Sequence, residues 1–146
     1  MPTVKNEIIL KCTPKVAFDE ISKLDFMSKS NPRSGIKPIL LFQNERIIRY
    51  TLNVENVGSW ESERVLIPER NMIITQRRSP LTPFKYMVVL HIFEVIPEGT
   101  LFTYIEEFEL DEDNKVNEEK ILSDIKNKVI PNMEKISDFF TGRVIN

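Results

Sequence analysis

From residue 36 to residue 110 the chain reads as six β-strands in succession, and beyond Asn117 its apolar period changes from two to nearly four. The strand-like segments are 36–43, 46–56, 58–67, 71–79, 84–96 and 99–110. Turn residues separate them at Asn44-Glu45, Asn56-Val57-Gly58, Pro68-Glu69-Arg70, the Pro80/Pro83 segment and Pro97-Glu98-Gly99. Consecutive strands joined by such short turns pair antiparallel. In the last turn Gly99 takes the position that needs positive φ. Ile121, Ile125, Val129, Met133, Ile136 and Phe140 then draw the apolar stripe of one long helix. Asn117 caps its start, Gly142 ends it, and Pro131 inside it should kink it, at up to about 3 kcal/mol for the lost hydrogen bond.

The N-terminal part completes the order of elements. Thr3 to Lys11 is a strand. Thr13-Pro14 is a helix start, with Thr as N-cap and Pro at the first helical position. Val16, Ala17, Ile21 and Leu24 give a short helix over about 14–24, and Asp25 opens a second through about Ser30. The segment 30–35, SNPRSG, is a turn or loop. One long helix cannot hide a flat sheet of six or seven strands. The sheet must curve around it and leave a space between them. The expected class is α+β: a helix-grip fold, with a curved antiparallel sheet of about seven strands wrapped around the C-terminal helix and two short helices after the first strand. Such an architecture is suited to holding something apolar.

The 146 residues suit a single domain, 1–146, with one core. Hydrophobic residues are 41% and charged residues 29%, a globular balance. A net charge of -2 argues against a general nucleic-acid binder. No apolar run is long enough to span a bilayer, and the N-terminus lacks the pattern of a signal peptide. The single cysteine, Cys12, excludes an internal disulfide and fits a reducing cytoplasm, and it reads as a small buried side chain. One His and one Cys do not make a common zinc site. The four glycines form no phosphate-cradling pattern. The expectation is a cytoplasmic protein without metal or nucleotide, monomeric or homodimeric. Apolar residues on both faces of 86–96 fit either a dimer contact or cover by loops.

One short stretch breaks the apolar pattern. In SWESER, residues 59–64, period two puts Trp60, Ser62 and Arg64 on one face and Glu61 and Glu63 on the other. The glutamates want water, so the inward face carries an arginine. On the last strand Phe102, Tyr104, Glu106, Phe108 and Leu110 share a face, which places Glu106 inward as well. Two readings stand side by side. Glu106 pairs with Arg64 or Arg78 as a buried ion pair. Alternatively the cavity needs a cation, because a guanidinium stays charged and presents fixed donors to a carbonyl oxygen or the enolate that develops from it. Ser62 would add a hydroxyl and Trp60 a flat apolar wall.

With those residues in view, WESER followed by VLIPERNMIITQR resembles the central region of the aromatase/cyclases of bacterial type II polyketide synthases, within the START-like polyketide cyclase/dehydrase superfamily. Arg78 before PFKYM, Pro83 to Met87, fits the pattern, as do Gly99-Thr100 and Glu107-Phe108. The resemblance covers most of 58–110. It implies regiospecific intramolecular aldol cyclisation and dehydration of a carrier-bound poly-β-keto chain, without a cofactor. Arg64 would be the principal catalytic cation and Ser62 its assistant. Trp60, Arg78, Met87, His91, Tyr104 and Glu106 would bind substrate. His91 stands where the family commonly has tryptophan. It is either a hydrogen-bonded core residue or an acid/base for the dehydration. A second family tryptophan, after the first helix, has no counterpart, and Phe26 or Met27 would fill its space. The implied partner is an acyl carrier protein with its tethered polyketide, with a ketosynthase complex behind it. Arg77, taken to point outward with Lys85 and Arg33, would form a docking patch or be ordinary solvated charge. The alternative function is a non-catalytic START-like binder of a lipid, quinone or other hydrophobic ligand.

Overall fold

The computed structural model describes residues 2–142. The chain runs β1 (Thr3–Leu10), α1 (Pro14–Ile21), α2 (Phe26–Ser30), β2 (Ile36–Gln43), β3 (Ile47–Val54), β4 (Gly58–Ile67), β5 (Met72–Ser79), β6 (Phe84–Ile96), β7 (Gly99–Leu110) and α3 (Glu118–Thr141). The strands form one antiparallel sheet in the order β1-β7-β6-β5-β4-β3-β2. From β2 to β7 neighbours in sequence are neighbours in space, because each break is a short turn. β1 closes the far side by pairing with β7, Thr3 opposite Glu107 and Leu10 opposite Thr100.

The core lies between the inner face of the sheet, α1, α2 and α3. It gathers Val4, Leu10, Phe93 and Phe102 from the strands, Phe18 and Ile21 from α1, Phe26 from α2, and Val129 and Met133 from α3. Each large apolar side chain buried there contributes about 1.5–3 kcal/mol. Thr13 caps α1 as expected, its Oγ1 accepting from the Val16 amide at 3.3 Å. The turn into β7 depends on Gly99, whose φ is +137° and where a Cβ would overlap the Leu10 carbonyl oxygen. A larger residue there would meet backbone rather than a movable side chain.

Three local expectations are corrected. α1 stops at Ile21 instead of continuing to about 24, with Ser22 as its C-cap. Asn117 makes no capping bond for α3. A 3-10 turn over Glu112–Asn117 leads straight into the helix, and Asp111 caps that turn by accepting from the Asn114 amide at 3.0 Å. Cys12 is half-buried, not buried, and packs at the edge of the core. α3 continues through Pro131 as one helix and reaches a left-handed Gly142 with φ +76°. No helix among the described residues is long and apolar enough to cross a membrane.

Candidate functional site

Arg64 pairs in register with Ile48 on β3 and Thr75 on β5, and its side chain enters the space under the sheet. It is 6% exposed. Its Nη1 donates to the carbonyl oxygens of Ser22 and Lys23 at 3.1 and 3.2 Å, and more weakly to that of Ile21 at 3.5 Å. Its Nε donates to the Tyr50 hydroxyl at 3.2 Å, and the guanidinium carbon lies 5.1 Å from the centre of the Tyr50 ring. A helix C-terminus leaves carbonyls without partners and carries partial negative charge. The early end of α1 therefore delivers a ready counter-charge for Arg64. No carboxylate is needed, and none pairs with Arg64 among the described residues. Of the two readings of the inward charges, the ion pair of Glu106 with Arg64 or Arg78 does not form among the described residues. The Nη2 group is left without a partner among the described residues.

Next to Arg64 is a cavity of about 120 Å³, partly open and bounded by the sheet, α1, α2 and α3. Ile21, Phe26, Val129, Met133 and Ile136 form its apolar walls. Arg64, His91 and Tyr104 supply the polar side from the sheet. Ser30, Asn31, Ser34 and Asn132 line it from the α2–β2 segment and α3. Phe26 and Met27 both line the cavity.

His91 and Tyr104 are cross-strand partners with ring centroids 5.4 Å apart. Burial, aided by the positive charge of Arg64, pushes the His91 imidazole down to about 3, so it stays neutral at neutral pH. The Nδ1 of His91 has no hydrogen-bond partner, and neither has the Oγ1 of Thr75, which faces Arg64 in register. The Tyr104 hydroxyl donates to Oε1 of Glu106 at 2.6 Å. Burial raises the Glu106 carboxyl above its ordinary range, while the Tyr104 hydrogen bond and the charge of Lys128 oppose the rise. Burial and the adjacent Glu106 hold the Tyr104 hydroxyl well above its usual value.

The other residues singled out in the sequence lie elsewhere. Ser62 is buried on the same face as Arg64, between Tyr50 and Arg77 in register, and does not line the cavity. Trp60 packs with the Ile48–Tyr50–Leu52 group, and its ring is covered by the Arg77 guanidinium at 4.5 Å. Met87 packs with Phe84, Phe108 and Leu110. Arg78 is the clearest correction. It lies on the outer face, pairing with Glu63 at 3.1 Å and Glu61 at 3.6 Å, and Arg49 joins Glu63 from β3 at 2.7 Å. The inner set of β5 is Ile73, Thr75 and Arg77, because Arg77 pairs with Ser62 and a bulge follows at Arg78. Arg77 therefore turns inward, against Trp60 and Phe84, and bonds the carbonyls of Pro80 and Thr82. That removes it from a patch shared with Lys85 and Arg33, both of which are exposed. Burial pushes the Cys12 thiol up, which leaves little thiolate for nucleophilic work.

Sequence reasoning missed Tyr50, although Ile48, Tyr50 and Leu52 alternate inward along β3 and predict its direction. It also read Ser30, Asn31 and Ser34 only as a turn. Nothing in their spacing signals that α3 closes over them.

No protein-family model matches the sequence, and no curated protein sequence matches it. Solved structures do match its fold. A protein of Thermus thermophilus, TTHA0849, superposes with a TM-score of 0.79 at 13% identity, over 97% of this chain and 98% of that one. The Zhui aromatase/cyclase of Streptomyces sp. R1128 superposes with a TM-score of 0.80 at 13% identity, over 98% of this chain and 95% of that one. The di-domain ARO/CYC StfQ of the steffimycin biosynthetic pathway gives 0.81 at 11% identity, over 97% of this chain and 52% of that one. The protein thus has the helix-grip fold, in the form shared by type II polyketide aromatase/cyclases. At these identities the likeness is one of fold.

Proposed function

We propose that residues 1–146 act as one START-like helix-grip domain that cyclises and aromatises a poly-β-keto chain inside the cavity. The observation that carries the reading is the convergence of Arg64, His91 and Tyr104 on one apolar cavity. In the reaction, a methylene between two carbonyls loses a proton, and the resulting enolate carbon attacks a ketone of the same chain. A carbon–carbon bond forms and the ketone becomes an alkoxide, which takes up a proton. Loss of water and enolisation give the aromatic ring.

Arg64 donates from Nη2 to the oxygen that becomes the alkoxide, which a buried, fixed donor does without reorganising. Neutral His91, too weak a base to hold the methylene proton, accepts a hydrogen bond at Nδ1 from an enol hydroxyl, and water carries the proton from the methylene to the alkoxide. The Tyr104 hydroxyl, whose one proton goes to Glu106, accepts a hydrogen bond from an enol hydroxyl of the chain and fixes its fold. Trp60 and Ser62 act behind Arg64, through Tyr50. Arg78 and Met87 take no part at the cavity. The substrate arrives on an acyl carrier protein supplied by a ketosynthase complex in the cytoplasm, and the chain itself supplies nucleophile and electrophile.

A second reading, a binding protein for a hydrophobic ligand without turnover, is favoured by one observation. Most of the donors of Arg64 are already committed to α1 and Tyr50. The test is the product profile of a minimal polyketide synthase with and without this protein. A shift from mixed shunt products to one aromatic product supports the enzyme. An unchanged profile together with stoichiometric ligand binding supports the binder and ends the enzymatic reading.

A further inference from the structure

The cavity is small. About 120 Å³ is close to the roughly 150 Å³ of an apolar cavity known to hold one benzene molecule. By that comparison it takes one six-membered ring at most. Its walls are also held in place. Phe26 stands edge-on to Phe139 at 5.1 Å and is stacked on Phe140 at 6.0 Å. Met133 is 1% exposed, Tyr104 is tied to Glu106, and Arg64 is tied to the end of α1. Close-packed walls resist expansion, because each outward shift loses contacts on the far side.

The polar side of the cavity carries unspent hydrogen-bonding capacity. Among the described residues the Nη2 of Arg64 has no partner, and neither has the buried Nδ1 of His91, both on residues that line the cavity. A buried polar atom without a partner is uncommon and points to a missing water or ligand. A guanidinium beside a neutral imidazole favours an oxygen with negative character over an amine. The apolar side is formed by Val129, Met133 and Ile136, against which a ring can pack.

We propose that this cavity selects a single-ring ligand bearing oxygen, a phenol or the ring-sized enol of a short β-diketone, and excludes fused two- and three-ring compounds. The inference rests on the cavity chemistry of the preceding reading and narrows its substrate to a chain that closes one ring. Ile136 is the gatepost that sets the size limit, half-buried at the apolar end.

The experiment is calorimetric titration of the wild-type protein and of Ile136→Ala with resorcinol and with 1,3-dihydroxynaphthalene. The wild type is expected to bind resorcinol at least about tenfold more tightly, a difference of about 1.4 kcal/mol. Ile136→Ala is expected to reverse that order. Because Ile136 is only half-buried, its truncation leaves the fold in place, which far-UV circular dichroism checks. Equal or tighter binding of the naphthalene by the wild type overturns the proposal, as does an unchanged order in Ile136→Ala or no binding of either probe. The two readings fail separately. A protein that prefers resorcinol but cyclises no carrier-bound chain keeps the size limit and loses the enzymatic reading. One that cyclises long chains without preference for one ring loses the size limit and keeps the enzyme.

Discussion

Replacing Arg64 by methionine tests whether the buried guanidinium holds the fold as well as the cavity. The variant keeps much of the side-chain volume and removes every donor. The lost interactions are the bonds to Ser22 and Lys23 at 3.1 and 3.2 Å, the bond to Tyr50 at 3.2 Å, and the weaker contact with Ile21. A hydrogen bond to a charged group contributes about 1.5–3 kcal/mol. Three such bonds would exceed about 4 kcal/mol in sum by that measure, but removing the cation also removes its desolvation cost of several kcal/mol. The carbonyls at the end of α1 are partly exposed and regain water. The expected net loss is about 3 kcal/mol, because the interaction terms outweigh the relief. For a domain of this size that lowers the Tm by about 6–12 °C. Urea unfolding followed by circular dichroism reads it, with an unchanged slope marking a change in stability alone. Arg64→Lys should fall between, since an ammonium reaches one or two of these acceptors and not all of them. A loss below about 0.5 kcal/mol in Arg64→Met would refute the reasoning, and Arg64 would then be a cation held for function only.

Further outcomes follow from the same geometry. Glu106→Gln should stabilise the protein, and more so at pH 8 than at pH 5. The folded carboxyl is raised above its ordinary value, so its cost to stability begins as pH passes the ordinary value and is complete above the folded one. Urea midpoints at the two pH values check this. His91 titrates at about 3 in the folded protein against 6.5 in the open chain, so the unfolded state takes the proton first. Stability should fall as pH drops from 6.5 towards 3, by at most about 5 kcal/mol from this group, and a His91→Phe variant should lose that part of the slope. Gly99→Ala should cost about 2 kcal/mol or more, from positive φ and a clash with the Leu10 carbonyl, read by thermal unfolding.

Much of the fold was legible because each signal was local. The strands β2, β4, β6 and β7 carry the bounds that turn residues and alternation predict, and the stripe from Ile121 to Phe140 marks α3. The end of α1 was not legible, since Leu24 continues the apolar spacing past the true stop at Ile21. The carbonyls at and just beyond its end, of Ile21, Ser22 and Lys23, all accept from Arg64, which is distant in sequence. The direction of Arg64 followed from the alternation of SWESER, but its partner did not. The chain uses backbone oxygens, which have no letter in a sequence. Arg77 and Arg78 were exchanged because adjacent arginines give period two no apolar anchor. Counting back to Ile73, which is fully buried, places Arg77 inward and Arg78 outward. The cavity wall from Ser30, Asn31, Ser34 and Asn132 needed α2 and α3 to be docked together, which no local pattern encodes.

The central claim is that the chemistry happens in the cavity. The most direct measurement is single-turnover cyclisation of a carrier-bound poly-β-keto chain by three proteins: the wild type, Ile136→Phe, which fills the cavity, and Arg78→Ala, which alters only the outer face. Ile136→Phe is expected to lose at least about 99% of the rate, roughly 3 kcal/mol of barrier, with its fold intact, while Arg78→Ala matches the wild type. Full turnover by Ile136→Phe, or its loss in Arg78→Ala, would contradict the claim.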